Sequence, residues 1–345
     1  MNFKRRALTN NLVTIGALLL FFTACQKNDN NSITIEEDLF IAIPAGFPPV
    51  PFPSDNEFSK ARWKLGKKLF FDPIMSIDST ISCASCHKPH LAFSDNVALS
   101  DGVFNRAGTR NAPSLSNVGY QPYFIREGSV PTLEMQVLVP IQEHNEFNHN
   151  IVDLSEQLAN IPAYNQLSIA AYNRPVDPFV ITRALGNFER SLVSGNSAYD
   201  KYTNGNTNAL NAQEKKGLDL FFNAKNNCSS CHSGFNFTDY SFQNNGLYKN
   251  YNDPGRMRFT SDSADMALFK VPSLRNVELT KPYMFNGQFT SLKEVLEHYN
   301  SGGANHRNQS PKILPLHLNA SELADLEAFL NSLTDYDFIN SPLWQ

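Results

Sequence analysis

Two copies of one short pattern, Cys-x-x-Cys-His, decide which fold this 345-residue chain can adopt. The pattern occurs first as Cys83-Ala84-Ser85-Cys86-His87 and again as Cys228-Ser229-Ser230-Cys231-His232. These four thiols account for every cysteine except Cys25, so none is left for a structural disulfide. The sequence therefore uses its cysteines for the chemistry of one repeated site.

Two thiols at this spacing can add to the two vinyl groups of one haem, and the following histidine can then reach the iron as proximal ligand. The motif predicts two covalently bound haem c groups. Cys83, Cys86 and His87 would hold the first haem, and Cys228, Cys231 and His232 the second. A thioredoxin-like dithiol or a zinc site of four cysteines would explain the thiols, but neither needs the trailing histidine.

Three sequence blocks around the motifs recur in the same order in the two halves of the chain. The paired blocks are LGKKLFF (65–71) with KKGLDLFF (215–222), NAPSLSN (111–117) with KVPSLRN (270–276), and residues 122–134 with residues 282–294. One matched pair could arise by chance, but three in register indicate a duplicated unit with one site in each copy.

Helical periodicity dominates the sequence, while Gly, Pro and Asn interrupt it with long loops. Ser291 and Glu294 form a capping box, after which apolar residues follow at helical spacing. We expect a mostly α fold of two cytochrome c-like domains with long irregular loops. The Asn- and Gly-rich stretch 203–211 separates an N-terminal haem domain (54–205) from a C-terminal one (206–345).

The N-terminus is typical of an exported protein. Lys4, Arg5 and Arg6 precede an apolar stretch at residues 12–22, which is short for a membrane span. Small residues then lead into Cys25, as in a lipoprotein signal (1–25) whose cysteine becomes lipidated. An ordinary signal peptide ending near a cysteine is the alternative. Residues 26–53, which are Asn-rich and then Pro-rich, are expected to form a tether. These features predict a periplasmic or cell-envelope protein with a lipid anchor in the membrane.

Charge and composition restrict the choice of partners. The net charge of −4 gives no excess of positive charge that would attract a polyanion, so we expect no nucleic-acid partner. The apolar fraction of 41% is enough to support a substantial core.

The complete motif set resembles the bacterial diheme cytochrome c peroxidases and their relative MauG, and the similarity covers residues 62–333. This resemblance implies an enzyme that reduces hydrogen peroxide at the N-terminal haem. Electrons would enter through the C-terminal haem from a small cytochrome c or a cupredoxin. It also implies that Gln136 orients the peroxide and that Glu146 transfers a proton between its oxygens. Glu143 is the nearest competitor for this role, whereas His144 and His149 are expected to be solvated.

Many members of this family carry a second histidine that blocks the peroxidatic haem until the partner haem is reduced. The matching position here is Val103, and no histidine occurs between His90 and His144. The sequence therefore predicts an open N-terminal haem that needs no reductive activation.

The C-terminal haem of the family takes a methionine as second ligand in the peroxidases and a tyrosine in MauG. The matching residue here is Tyr299, on the apolar face of the helix that begins after Ser291. Met284 and His298 are the alternatives. A phenolate oxygen in place of a thioether would stabilise ferric iron and lower the potential of this haem.

Two further expectations concern the region between the haems. The resemblance implies a structural Ca²⁺ bound by the Asn111 side chain and the carbonyls of Thr280 and Pro282. A tryptophan of the family between the haems is replaced by Arg126, which cannot relay an oxidising equivalent by hopping.

The sequence thus leaves three hypotheses: a peroxidase, a MauG-like oxidase acting on a protein or small aromatic substrate, and a diheme electron carrier. Gln136 and Glu146 favour an enzyme over a carrier, whereas Val103 and Tyr299 favour MauG-like chemistry. The oligomeric state stays open, with a homodimer as one assembly.

Overall fold

The computed structural model describes residues 40–344, and it confirms the predicted mostly α fold with long irregular connections. The helices, numbered α1 to α13 in chain order, are Lys60–Phe71, Cys83–Cys86, Leu133–Gln136, Leu138–Gln142, Ile151–Ala159, Pro162–Tyr172, Pro178–Arg190, Ala198–Thr203, Ala212–Phe222, Met257–Thr260, Leu292–Ser301, Ala320–Asn331 and Tyr336–Ile339.

The extended structure in this part of the chain is minimal. Strands β1 (Phe242–Gln243) and β2 (Phe269–Lys270) pair antiparallel. Short 3₁₀ turns fill many of the loops, at Pro73–Met75, Pro89–Leu91, Val103–Asn105, Val118–Tyr120, Cys228–Ser230, Ser263–Asp265, Val277–Leu279 and Pro342–Trp344. Across residues 40–344, every helix is too short or too polar to cross a bilayer.

The N-terminal half is built on the packing of α1 against α7. These helices cross at Gly66, where a Cβ atom would overlap the main-chain carbonyl of Ala184. Glycine is required here because only a residue without a side chain lets the two backbones approach so closely. Phe70 and Phe188 fill the space beside the crossing, with their ring centroids 5.0 Å apart.

The C-terminal half repeats this arrangement with α9 and α12. Gly217 lies against the main-chain carbonyl of Asp325, and a Cβ atom there would overlap it in the same way. Phe221 and Phe329 correspond to Phe70 and Phe188, and their ring centroids are 5.1 Å apart. The repeated sequence block thus encodes the same helix crossing twice, and the predicted duplication is present in three dimensions.

Helix α11 forms as its capping box predicts. The Ser291 hydroxyl accepts a hydrogen bond from the Glu294 amide, while the Glu294 carboxylate accepts one from the Ser291 amide. These bonds satisfy amide groups that a helix start leaves unpaired. Gly302 ends the helix in the left-handed conformation. The helix is thereby fixed at both ends with Tyr299 in its last turn.

Buried asparagines join the two halves. The Asn117 side chain donates to Asn236 Oδ1 at 3.0 Å and to the Ser194 carbonyl at 2.8 Å. Asn276, its counterpart in the second copy, donates to the hydroxyls of Ser194 and Ser116. These bonds lie in the interior, where an unpaired amide would be costly.

The end of the chain returns to the N-terminal half. Phe338 and Trp344 lie in the same apolar cluster as Phe93, and the Lys67 ammonium donates to the Leu343 carbonyl at 2.6 Å. The indole of Trp344 is buried and donates to the Phe338 carbonyl. Residues 336–344 therefore belong to the N-terminal core, although they lie within the range predicted for the C-terminal domain.

The end of the predicted tether is corrected by the structure. Phe40 packs on Trp63 at 4.7 Å between centroids, and Phe47 packs on Phe235 at 4.6 Å. Residues 40–53 thus lie against the protein body because their aromatic side chains have apolar partners there. The predicted signal sequence, the Cys25 lipid site and the start of the tether lie outside the described residues.

Candidate haem sites

The first Cys-x-x-Cys-His motif forms a single helical turn, α2, with His87 directly after it. The imidazole Nδ1 of His87 lies 2.9 Å from the Phe93 carbonyl. This contact places the proton on Nδ1 and leaves Nε2 free to bind a metal. Burial lowers the pKa of His87, which favours the neutral form that a metal requires.

The second motif repeats this geometry. His232 Nδ1 lies 3.1 Å from the Phe237 carbonyl, and burial again lowers the pKa of the imidazole. Phe93 and Phe237 follow their histidines at nearly the same spacing, and both are fully buried. Each copy therefore uses a main-chain carbonyl on a buried aromatic residue to orient its histidine.

The side chains at both motifs fit a covalent haem. Cys83, Cys86, Cys228 and Cys231 are all unpaired thiols, and each is half-buried. Two thiols beside an imidazole whose Nε2 is free are the donor set for one haem c. The structure thus brings together each predicted trio of attachment residues.

A loop containing Val103 closes against Glu146 on the N-terminal side of the protein. The Val103 amide donates to the Glu146 carbonyl at 2.9 Å, and the Val103 side chain is fully buried. A Cβ atom at Gly102 would overlap the Asn145 carbonyl, so the loop packs directly on this segment. Position 103, where a blocking histidine was considered, is therefore filled by an apolar side chain.

Glu146 is close enough to the first motif to affect its thiols. Its negative charge contributes to the raised pKa of both Cys83 and Cys86, for which burial is the largest cause. Burial, with a smaller contribution from Glu143, raises the pKa of Glu146 itself to about 7. A carboxyl group with this pKa can accept and release protons near neutral pH.

The other residues considered for the first site differ in exposure. Gln136 is half-buried and ends α3, whereas Glu143 is exposed. His144 is exposed, as predicted, and lies beside Arg106. The expectation for His149 was wrong: this residue is buried, because its amide donates to the Ile141 carbonyl and folds it against α4.

At the C-terminal site, the three candidate ligands converge on Asn245. The Asn245 side-chain amide donates to Met284 Sδ at 3.1 Å, and its carbonyl lies 3.0 Å from His298 Nε2. Tyr299 also interacts with the Asn245 side chain, and the nearby Cys228 and Cys231 contribute to its pKa, which burial raises. Tyr299 therefore faces the second motif, whereas His298 has one ring nitrogen committed to the backbone.

Arg126 lies where the halves meet. Its Nη2 atom donates to the Asn111 carbonyl at 2.7 Å and contacts Asn111 Oδ1 at 3.3 Å. Burial lowers the pKa of Arg126 to about 10, so the guanidinium keeps its charge at neutral pH. Lys270, whose amide donates to the Arg126 carbonyl, has a pKa near 7 because of burial and the charge of Arg126.

Sequence reasoning missed two residues of these sites. Asn245 contacts all three candidate ligands, but it belongs to an Asn-Asn-Gly stretch that predicts only a turn. Lys270 appeared in a repeated block without indicating that its ammonium would be buried. Chain spacing gave no means of finding either residue, since both act through contacts between distant segments.

Family models match both halves of the chain. The model described as di-haem cytochrome c peroxidase matches residues 60–208, and the model described as cytochrome c matches residues 215–334. Together with the duplicated Cys-x-x-Cys-His sites, these matches define the protein as a diheme c-type cytochrome.

Individual relatives narrow the class. The chain is 37% identical to the methylamine utilization protein MauG of Methylorubrum extorquens over 288 residues, which cover 82% of this chain and 81% of that protein. It is 32% identical to cytochrome c551 peroxidase of Pseudomonas aeruginosa over 299 residues, covering 84% and 85%. The chain therefore belongs to the diheme cytochrome c peroxidase/MauG family.

A solved structure agrees with this assignment. A MauG-like protein associated with microbial copper homeostasis superposes with a TM-score of 0.84 at 31% identity, covering 88% of this chain and 98% of that one. The predicted family and fold are both confirmed.

Proposed function

We propose that this protein reduces hydrogen peroxide to water at its N-terminal haem, with electrons relayed from an external donor through the C-terminal haem. The observation that carries the proposal is Glu146, a half-buried carboxyl group beside the first haem-attachment motif with a pKa of about 7. A protein that only carries electrons has no need of such a group.

Glu146 would act as the proton shuttle of the reaction. As a carboxylate it would take a proton from one peroxide oxygen, and as a carboxylic acid it would return that proton to the departing oxygen. Gln136, in the preceding helix α3, would orient the peroxide by hydrogen bonding. A haem held by His87 would supply the iron that binds peroxide and the electrons that cleave its O–O bond.

The buried Val103 side chain supports an N-terminal haem that is open to peroxide from the start. Valine offers no metal ligand, and the Val103–Glu146 backbone hydrogen bond keeps this loop in place. We infer that the enzyme reacts with peroxide without prior reduction.

At the C-terminal haem we propose Tyr299 as the second ligand. Its position in the last turn of α11, next to the second motif, supports this choice over His298, whose Nε2 faces the Asn245 carbonyl. Met284 is the competing ligand, and Asn245 contacts its sulfur atom.

Val103 and Tyr299 also favour a second candidate function, a MauG-like oxidase whose electrons come from a protein or small aromatic substrate. A phenolate-ligated relay would have a low potential and would suit oxidation of a substrate. It would suit electron uptake from a high-potential cytochrome less well.

One assay separates the two functions. The haem-loaded protein is mixed with hydrogen peroxide and reduced small cytochrome c, and cytochrome oxidation is followed. A peroxidase oxidises two cytochromes for each peroxide in repeated turnovers. Consumption of peroxide without cytochrome oxidation would instead favour the oxidase.

The surroundings of the enzyme are also proposals. We propose an exported protein that is anchored by a lipid at Cys25 and receives electrons from a small cytochrome c or cupredoxin. Labelling with a radioactive fatty acid, compared with a Cys25→Ser variant, tests the anchor. A homodimer stays a prediction.

A further inference from the structure

The junction between the halves contains a fixed cation at the atom that was predicted to bind calcium. Arg126 directs Nη2 at both the carbonyl and Oδ1 of Asn111. Asn111 is buried, and its Nδ2 donates to the Val97 carbonyl at 3.1 Å. Because this bond fixes the orientation of the amide, Oδ1 is the atom that faces Arg126.

A calcium ion on Asn111 Oδ1 would therefore lie beside a guanidinium group. Calcium takes six to eight oxygen ligands and usually includes carboxylates among them. The predicted ligands, Asn111 Oδ1 and the carbonyls of Thr280 and Pro282, are all neutral. They would not offset the repulsion between the metal and Arg126.

The nearby acidic groups are already paired. Arg110 contacts both carboxylate oxygens of Asp253, at 2.8 and 2.9 Å, and also forms an ion pair with Glu127. Within residues 40–344, no cluster of three or more His, Cys, Asp or Glu side chains is arranged to hold a metal ion. No carboxylate at the junction is thus left for calcium.

Lys270 adds a second basic group to the same place. Its ammonium donates to the Tyr123 carbonyl at 2.7 Å, and its amide bonds to the carbonyl of Arg126. A divalent ion would add its charge to a buried region that already contains the Arg126 guanidinium. The donor set present here does not fit calcium.

We propose that the Arg126 guanidinium takes the place of the calcium ion at Asn111, so that the protein binds no metal there. Arg126 links the loop at Asn111 to the strand at Lys270 by hydrogen bonds at both its side chain and its backbone. Arg126, a residue that cannot relay an electron by hopping, thereby has a structural role at this position.

The first test uses the haem-loaded, full-length protein. Its calcium content is measured by mass spectrometry after gel filtration, and its thermal midpoint is measured in EGTA and in millimolar calcium chloride. The proposal predicts substoichiometric calcium, one midpoint in both buffers, and unchanged EPR spectra of the two ferric haems. One calcium per chain, with a lower midpoint after chelation, would overturn it.

Variants test Arg126 itself. Arg126→Gln should lower the midpoint in EGTA by roughly 5 °C, the scale for losing a charge-assisted hydrogen bond in a protein of this size. Arg126→Lys keeps the charge and should lose less. Arg174→Gln, which removes a surface arginine paired with Asp177, is the matched control. The proposal fails if Arg126→Gln is as stable as Arg174→Gln.

Discussion

At the scale of single residues, Glu146 carries the enzymatic interpretation. Its carboxyl group lies near the thiols of the first motif, and the loop around Val103 closes over its backbone. Burial raises its pKa to about 7, whereas an exposed glutamate would stay ionised throughout the neutral range. The residue is therefore suited to moving a proton in both directions.

Replacing Glu146 by glutamine should lower kcat for peroxide reduction by about two orders of magnitude, the usual scale for loss of a general acid–base group. Steady-state assays with reduced cytochrome c measure this effect. Glu143→Gln, which alters an exposed neighbour, is the control and should retain nearly full activity. An equal loss of kcat in both variants would contradict the assignment of Glu146 as the proton shuttle.

The pH dependence provides an independent check on the same group. Glu146 must be a carboxylate to take the first proton, so kcat/KM for peroxide should rise as pH increases through about 7. The Glu146→Gln variant should lack this rise, since its side chain does not titrate. A wild-type profile that is flat between pH 5 and 9 would contradict the assignment.

Tyr299 is the residue whose replacement distinguishes the candidate ligands of the second haem. Tyr299→Phe should change the low-spin spectrum and raise the potential of that haem by on the order of 100 mV, because axial ligands tune haem potentials over about 0.8 V. Spectroelectrochemistry measures both properties. Tyr283→Phe, a tyrosine whose hydroxyl donates to the Val277 carbonyl, should change neither. An unaltered potential in Tyr299→Phe would favour Met284.

Sequence alone predicted the residues that are defined by spacing. The attachment cysteines and histidines follow from the motif, and the register of α11 placed Tyr299 on its inner face. The roles of Asn245 and Lys270 could not be predicted because each depends on contacts between segments far apart in the chain. His149 was misjudged for the same reason, since a hydrogen bond from its amide buries it.

At the scale of elements, the repeated glycine defines the fold of each half. Gly66 lets α1 cross α7, and Gly217 lets α9 cross α12. The sequence repeat pointed to a duplication, but it could not show that the matched glycines mark the helix crossings. The need for glycine at these positions depends on contacts with the main-chain carbonyls of Ala184 and Asp325, which lie in helices later in the chain.

Gly66→Ala and Gly217→Ala should each lower the free energy of unfolding by about 1–3 kcal/mol or more, because a methyl group would force the helices apart. Gly108→Ala is the matched control, since a Cβ atom at this position would lie 3.4 Å from its nearest neighbour, the Ser100 carbonyl oxygen. Denaturation followed at the Soret band measures the loss. If Gly66→Ala is as stable as the control, the crossing does not depend on close backbone contact.

At the scale of the whole molecule, the last residues of the chain tie the two halves together. Trp344 packs on Phe338 and on Phe93, whose carbonyl orients His87. The sequence repeats could not predict that the end of the chain packs on the N-terminal half. The terminal segment has no counterpart in the other copy of the repeat, so no matched block indicates where it lies. The same holds for residues 40–53, which were expected to act as a tether.

Trp344→Ala should destabilise the N-terminal half by about 3–5 kcal/mol, the usual cost of removing a buried tryptophan. The absorption spectrum of the haem held by His87 should change at a lower denaturant concentration than the spectrum of the haem held by His232. Tyr336→Ala serves as control, because Tyr336 lies in the same terminal segment but is exposed. Simultaneous loss of both haem signals at an unchanged midpoint would contradict the proposed tie.

The central claim is that this protein has an open N-terminal haem that reacts with peroxide as isolated. The most direct measurement is an EPR spectrum of the fully ferric protein, followed by stopped-flow mixing with hydrogen peroxide in the absence of reductant. We predict a high-spin signal beside a low-spin one, together with rapid reaction. Two low-spin signals and no reaction would show that a ligand blocks the first haem, and would contradict the claim.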